Sequence, residues 1–336
     1  MDSITHTVLG ACMGEAIAGK KLGKKAMLIG AIANNLPDID VIANIWASPA
    51  HALLIHRGIT HSILAEVILT FSLAFLLKRF WKSDMTYRQW AFLIGSGLFT
   101  HIFIDAFTAY GTGWFEPFDH YRVSFNTMFI ADPLFTITTL VCAIGLLVVR
   151  NDSPRRMAWA KTGLYSAFIY LSLITINKLW INRKINESLK EQEIAHLDYF
   201  SSPTPLNNIL WYIVVKQGPK YSVGYYSLFD RPGPIAFEEY PQNDSLLDPL
   251  KNDIEVQRLI RFSKGYYCVS KKKNGLVFSD MRFGQAGGWY LKNTPFIFNY
   301  ELEQDRQKKV ALQQGRFESF KSEAFSLLWK RIMGTK

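Results

Sequence analysis

The stretch WAFLIGSGLFTHIFIDAFTAY, residues 90–110, is long and apolar enough to cross a bilayer, yet it carries His101 and Asp105 well inside it. About 20 apolar residues suffice for a span. A spacing of four puts both side chains on one helical face. A central Asp costs roughly 2.5–3.5 kcal/mol on insertion scales, so such groups mark a site or a partner. The competing structural reading is a His–Asp hydrogen bond that ties helices together.

Ile63–Phe80, Asp132–Val149 and Trp159–Trp180 have the same apolar texture. Ala26–Ile45 is a weaker span, interrupted by Asn34, Asn35, Pro37, Asp38 and Asp40, and the proline predicts a break there. Thr5–Ala18 is short and Gly/Ala-rich, which suits a helix packed closely on its neighbours. The expectation is an α-helical polytopic membrane domain over 1–180, with about five to six membrane segments, one of them broken. Basic residues cluster at 20–25, 78–88 and 150–156, in every second connection. The positive-inside rule places these in the cytoplasm, and connections 46–62 and 111–131, with everything after about 181, on the external side. Asp2, His6 and Glu15 argue against a cleavable leader, so the first segment is expected to stay in the mature chain.

Beyond 181 the pattern changes. Pro203 and Pro205 punctuate a linker, then short β-like runs such as NILWYIVV and GLVFSDMRF alternate with Gly, Pro, Asn and Asp. Residues 181–336 therefore read as a small, mainly-β external domain. It closes with an amphipathic helix over Asp305–Ile332 that lies on the sheet or on the membrane surface. Cys12, Cys142 and Cys268 are too scattered for a disulfide framework or a Cys-based zinc site, so any metal takes nitrogen and oxygen ligands. The net charge of +10 comes without a compact basic block interleaved with aromatics, and nucleic acid is not an expected partner.

Four elements carry the chemistry. HisArgGlyIleThrHisSer at 56–62 offers two imidazoles and a guanidinium at the mouth of a membrane segment. His101 and Asp105 are the second. Asp38 and Asp40, two residues apart after a proline, suit hard divalent ions, or one of them caps a helix. His6 is the fourth and, taken alone, reads as a packing residue. On the six-segment topology all four arrive at the outer leaflet. The expected metal ligands are His6, Asp40, His56, His61, His101 and Asp105, around zinc or manganese, singly or as a pair. Asp38 or Asp40 is the expected general base and Arg57 the holder of an anionic group, in a hydrolase acting on a lipid or envelope-derived ester or phosphoester. Thr5, Thr60 and Thr100 each precede a histidine and place hydroxyls beside it. Two other classes fit less closely: a metal or proton transporter with an intramembrane His/Asp relay, and a scaffold held by a structural metal.

ThrHisThrValLeuGly at 5–10, AsnLeuProAspIleAsp at 35–40, HisArgGlyIleThrHisSer at 56–62 and HisIlePheIleAsp at 101–105 together resemble the YdjM-type family of bacterial inner-membrane, metal-dependent hydrolases. The resemblance covers about residues 1–180 and implies an integral membrane metallohydrolase. ThrProLeuAsnAsnIleLeuTrp at 204–211 and PheSerAspMetArgPheGly at 278–284 look like the tail of longer members, implying that Asp280 and Arg282 face the site. A fainter similarity links the ligand order to zinc-dependent phospholipase C and single-strand nucleases. The chain lacks their amino-terminal Trp and a second His-x-x-x-Glu/Asp pair.

Overall fold

A computed structural model describes residues 1–272, 275–292, 294–303, 312–314 and 323–335. The chain divides into two units. The first holds Met1–Ile42, Ile55–Asn177 and Pro205–Asn207, and the second Ala43–Leu54, Lys178–Thr204 and Asn208–Lys336.

The first unit is helical. α1 (Ser3–Leu22) starts at Asp2, whose carboxylate accepts from the Thr5 amide, and meets α2 (Lys24–Ala33) through Gly23 at φ 55°. The two helices approach through glycine. A Cβ on Gly14 would lie 2.0 Å from the Ala26 carbonyl oxygen, and one on Gly30 would lie 2.2 Å from that of Gly10. After Asn34 the chain continues as a 3-10 helix, Leu36–Ile45, so the proline break falls where Asp38 and Asp40 are needed. α3 (Pro49–Ile55) and a 3-10 turn, Ile59–His61, lead to Ser62, which caps α4 (Ile63–Phe80) by accepting from the Ala65 amide. α5 (Tyr87–Asp105) opens on a Thr86–Gln89 capping box, and α6 (Pro133–Val148) on Asp132. α7 (Arg155–Glu191) runs 37 residues. Trp90, Leu93 and Leu98 of α5 pack on Ala18, Ala26 and Ala33, while Leu9, Ile104, Phe135 and Ala167 form a second core beside the site helices.

The expectation of five to six membrane segments is corrected. Among the described residues, only α7 is long and apolar enough to cross a membrane alone. Up to three spans arise if the bent pairs Lys24–Ala33 with Leu36–Ile45, and Pro49–His61 with Ile63–Phe80, each count as one. The physical reason is that the apolar runs overstate the helices. α6 has 16 residues, about 24 Å at 1.5 Å per residue, against a hydrocarbon core of about 30 Å. α5 stops at Asp105, and Arg88, Gln89, His101 and Asp105 lower its hydropathy. α4 alone carries Glu66, Lys78 and Arg79.

The second unit is mainly β, as expected. β1 (Asp198–Pro203), β2 (Leu210–Lys216), β3 (Lys220–Ser227) and β4 (Phe237–Pro241) form one antiparallel meander. A 3-10 turn (Asp244–Leu250) and α8 (Ile254–Phe262) lead to a second: β5 (Tyr267–Lys272), β6 (Gly275–Gln285), β7 (Phe296–Glu303) and β8 (Leu312–Gln314). Trp211, Ile213 and Val215 alternate along β2 and bury against Ile181, Ile185 and Leu189 at the end of α7. Of the helix expected over 305–332, residues 312–314 pair with β7 as a strand, and α9 (Glu323–Ile332) supplies the helical end. Val310, Phe317 and Phe320 lie outside the described residues. α9 settles on the sheet, with Leu328 and Ile332 against Leu210 and Trp289.

Candidate metal centre

His6, Asp38, Asp40, His56, Arg57, His61, His101 and Asp105 all lie in the first unit. His101 and Asp105 occupy the last turn of α5, where one helical repeat aligns them, and both are fully buried. His61 ends the 3-10 turn before α4. The chain reaches it through Arg57 at φ 61°, a left-handed conformation that costs a non-glycine residue of order 1–3 kcal/mol and so signals an over-determined site. The Arg57 amide donates to Asp40 Oδ2 at 2.9 Å, locking that turn onto the broken segment.

Four atoms converge. His61 Nε2 and His101 Nε2 are 3.0 Å apart, Asp38 Oδ1 lies 3.4 and 3.5 Å from them, and Asp105 Oδ2 lies 3.6 Å from each. Each imidazole is held from behind. His101 Nδ1 donates to the Asn34 carbonyl at 2.7 Å, and His61 Nδ1 faces Asp40 Oδ2 at 3.3 Å and Thr60 Oγ1 at 3.0 Å. With their protons on Nδ1, both rings aim an Nε2 lone pair at the centre. Two lone pairs at that distance repel unless a cation lies between them. Ligands about 2.0–2.2 Å from a tetrahedral ion stand roughly 3.3–3.6 Å apart, close to the observed separations. Asp38 Oδ1 and Asp105 Oδ2 accept no aligned hydrogen bond among the described residues, which leaves their lone pairs for the same centre. Two carboxylates and two neutral imidazoles match the charge of a divalent cation. The residues present fit a metal ion.

The structure thus brings together Asp38, His61, His101 and Asp105 around one point, with Asp40 and His56 beside them. Asp40 is saturated: it accepts from His56 Nδ1 at 2.8 Å, the Arg57 amide and Thr60 Oγ1 at 2.6 Å. With Asp38, this pair forms a second grouping of ligand type. His56 also stands edge-on to Tyr110 at 5.4 Å. His6 stacks on His101 at 3.9 Å and reaches Asp105 Oδ1 at 3.2 Å, and that oxygen also pairs with the Met1 amino group. Arg57 is buried rather than open to a ligand: its Nε lies 2.9 Å from Asp105 Oδ2 and its Nη1 donates to Thr108 Oγ1 at 2.8 Å. Of the three threonines preceding a histidine, only Thr60 touches the centre; Thr5 bonds Asp2 and Thr136, and Thr100 bonds Met13. In the second unit, Asp280 and Arg282 are buried and pair with one another at 2.6 Å.

Asn34, not among the expected site residues, orients His101 through its carbonyl, and its side-chain Nδ2 donates to the His6 carbonyl at 2.7 Å. Its place in the broken segment was the only signal. Asp40→Asn should keep the fold and weaken metal binding about 10–100-fold, the usual cost of losing the partner that orients a ligating histidine. Competition against a chromophoric chelator reads this directly. An unchanged affinity would remove Asp40 from the site.

The family described as YdjM inner membrane protein matches residues 1–181. Among curated proteins, the uncharacterized protein YfhP of Bacillus subtilis (strain 168) is 26% identical over 318 residues, covering 88% of this chain and 90% of that protein. The inner membrane protein YbcI of Escherichia coli (strain K12) is 29% identical over 121 residues, covering 35% of this chain and 69% of that one. No solved structure matches.

Proposed function

We propose, for a chain that belongs to the YdjM inner membrane protein family, that the His/Asp cluster holds a divalent metal ion and hydrolyses an ester or phosphoester at the inner membrane. The observation that carries this reading is the pair of Nε2 atoms 3.0 Å apart, each with its other nitrogen bound to an acceptor. A bound divalent ion supplies Lewis acidity, making water nucleophilic near neutral pH and polarising the scissile bond.

The chain's own residues do the rest. Asp38, His61, His101 and Asp105 are the holding groups. Asp40, Thr60 and Asn34 fix the two rings so that little reorganisation accompanies binding. Arg57 offsets the charge of Asp105 inside the protein. Asp38, whose side chain is 17% exposed, is the carboxylate of the four that solvent reaches, and it takes the proton from the attacking water. The basic clusters at 20–25, 78–88 and 150–156 sit at matching ends of the three candidate spans. The positive-inside rule then puts the second unit on the outer face.

Full-length protein in detergent should hydrolyse members of a panel of lipid and phosphoester substrates. A chelator should abolish this turnover, added zinc or manganese should restore it, and Asp38→Asn should lack it while keeping its fold. Intact cells should turn over a membrane-impermeant member of the panel. Metal-loaded protein that turns over nothing in the panel would contradict the hydrolase reading.

A further inference from the structure

At the start of α4, two residues beyond His61, lies a groove of about 640 Å³ lined by Ile63, Leu64, Val67, Trp114, Phe115 and Phe118. Its size is that of a small-molecule site, roughly 300–1,000 Å³. We propose that this groove seats one acyl chain of a membrane lipid, so that the substrate of the adjoining centre is an amphiphile held by its tail. Naming that lipid as substrate rests on the hydrolase reading above; the seat itself does not.

Three observations support the assignment. First, the groove continues the apolar surface of α4. Beyond Val67 the exposed residues Ile68, Phe71 and Phe75 extend the same helix, in a chain of an inner-membrane family, so a lipid tail lying along α4 meets the groove without crossing water. Second, the groove wall is tied to the metal-ligand elements. The Gly113 amide donates to the Arg57 carbonyl at 2.8 Å, the Ile63 amide to the Trp114 carbonyl at 3.0 Å, and Trp114 Nε1 to the carbonyl of Ile102, the neighbour of His101, at 3.1 Å. The two backbones pass closely here: a Cβ on Gly113 would lie 3.2 Å from the Arg57 carbonyl oxygen. A tail in the groove therefore has its polar end fixed close to His61 and His101. Third, charge selects against an anionic occupant. The ionisable lining residues are Glu116 and Asp119, engaged by His120 Nδ1 at 2.9 Å and the Tyr121 amide at 2.8 Å. A phosphate or carboxylate placed in the groove finds no cation among its lining residues, whereas a hydrocarbon finds three large aromatic rings.

The test uses the full chain in vesicles of phosphatidylethanolamine and phosphatidylglycerol doped with a phosphatidylethanolamine bearing a diazirine in its acyl chain. After irradiation, labelled peptides are mapped. Labelling at 63–67 and 114–118 should exceed that on the exposed face of α7 around Phe168 and Leu173, which reports lipid merely surrounding the protein. Leu64→Trp with Val67→Trp, or the milder Val67→Phe if the pair fails to fold, fills the groove. Filling should lower labelling of 114–118 by roughly tenfold, the loss of about two buried methylene groups, and leave the α7 signal unchanged. Groove labelling no stronger than that of α7, labelling indifferent to filling, or crosslinking of a second copy in place of lipid would each overturn the proposal. Elemental analysis of the same samples separates the two readings: wild-type protein without metal defeats the hydrolase while the labelling result stands.

Discussion

His101→Ala should strip the centre of its metal, with affinity falling more than about 100-fold and hydrolysis falling to background. Loss of an outer partner of a ligating histidine already costs about 10–100-fold, so loss of the ring itself must cost more. The ring supplies one of four converging atoms, and the Asn34 carbonyl that orients it has no second ligand to offer. His101 is also fully buried and stacked on His6, so thermal unfolding must accompany the measurement. His101→Gln, which fills more of the space without an aimed imidazole, should lose metal equally while unfolding nearer to wild type. Retention of wild-type affinity by either variant would exclude His101 as a ligand.

Asp105→Ala should cost about 3–5 kcal/mol of stability even in the presence of chelator, before any loss of bound metal is counted. Asp105 is the shared counter-charge of a buried set: Arg57 Nε at 2.9 Å, His6 Nε2 at 3.2 Å and the Met1 amino group. Removing the carboxylate leaves the Arg57 cation, 3% exposed, without its anion. A carboxylate in the last turn of a helix also opposes the helix dipole, so its presence there is a cost that stability alone does not explain. Asp105→Asn keeps the shape and should lose metal with a smaller change in unfolding. Denaturant titration in micelles distinguishes the outcomes, and a change below about 1 kcal/mol for Asp105→Ala would show that Arg57 is compensated elsewhere.

The site was legible wherever one periodicity decides. His101 and Asp105 are four apart in a helix, and no tertiary detail changes the face they share. Asp38 and Asp40 were not separable, because the backbone between them is 3-10. That geometry aims Asp38 at the imidazoles and turns Asp40 to the amide of Arg57. The separation of His56 from His61 into two groupings follows the left-handed turn at Arg57, and arginine carries no signal for such a turn. Asn34 acts on His101 through its backbone carbonyl, a group that every residue has. The membrane count failed for a different reason. Hydropathy sees an apolar run but not where its helix stops, and α5 and α6 end before the runs do. The β half was readable because its short apolar runs are bounded by Gly, Pro, Asn and Asp, and NILWYIVV falls on β2, buried over Leu210–Val215.

Elemental analysis of the full chain, purified in detergent beside a His61→Ala/His101→Ala double variant of matched thermal stability, tests the metal centre most directly. At least one equivalent of a divalent transition metal per wild-type chain is expected, and essentially none in the double variant. Wild-type protein that stays metal-free after incubation with zinc or manganese, or a double variant that keeps its full complement, would contradict it.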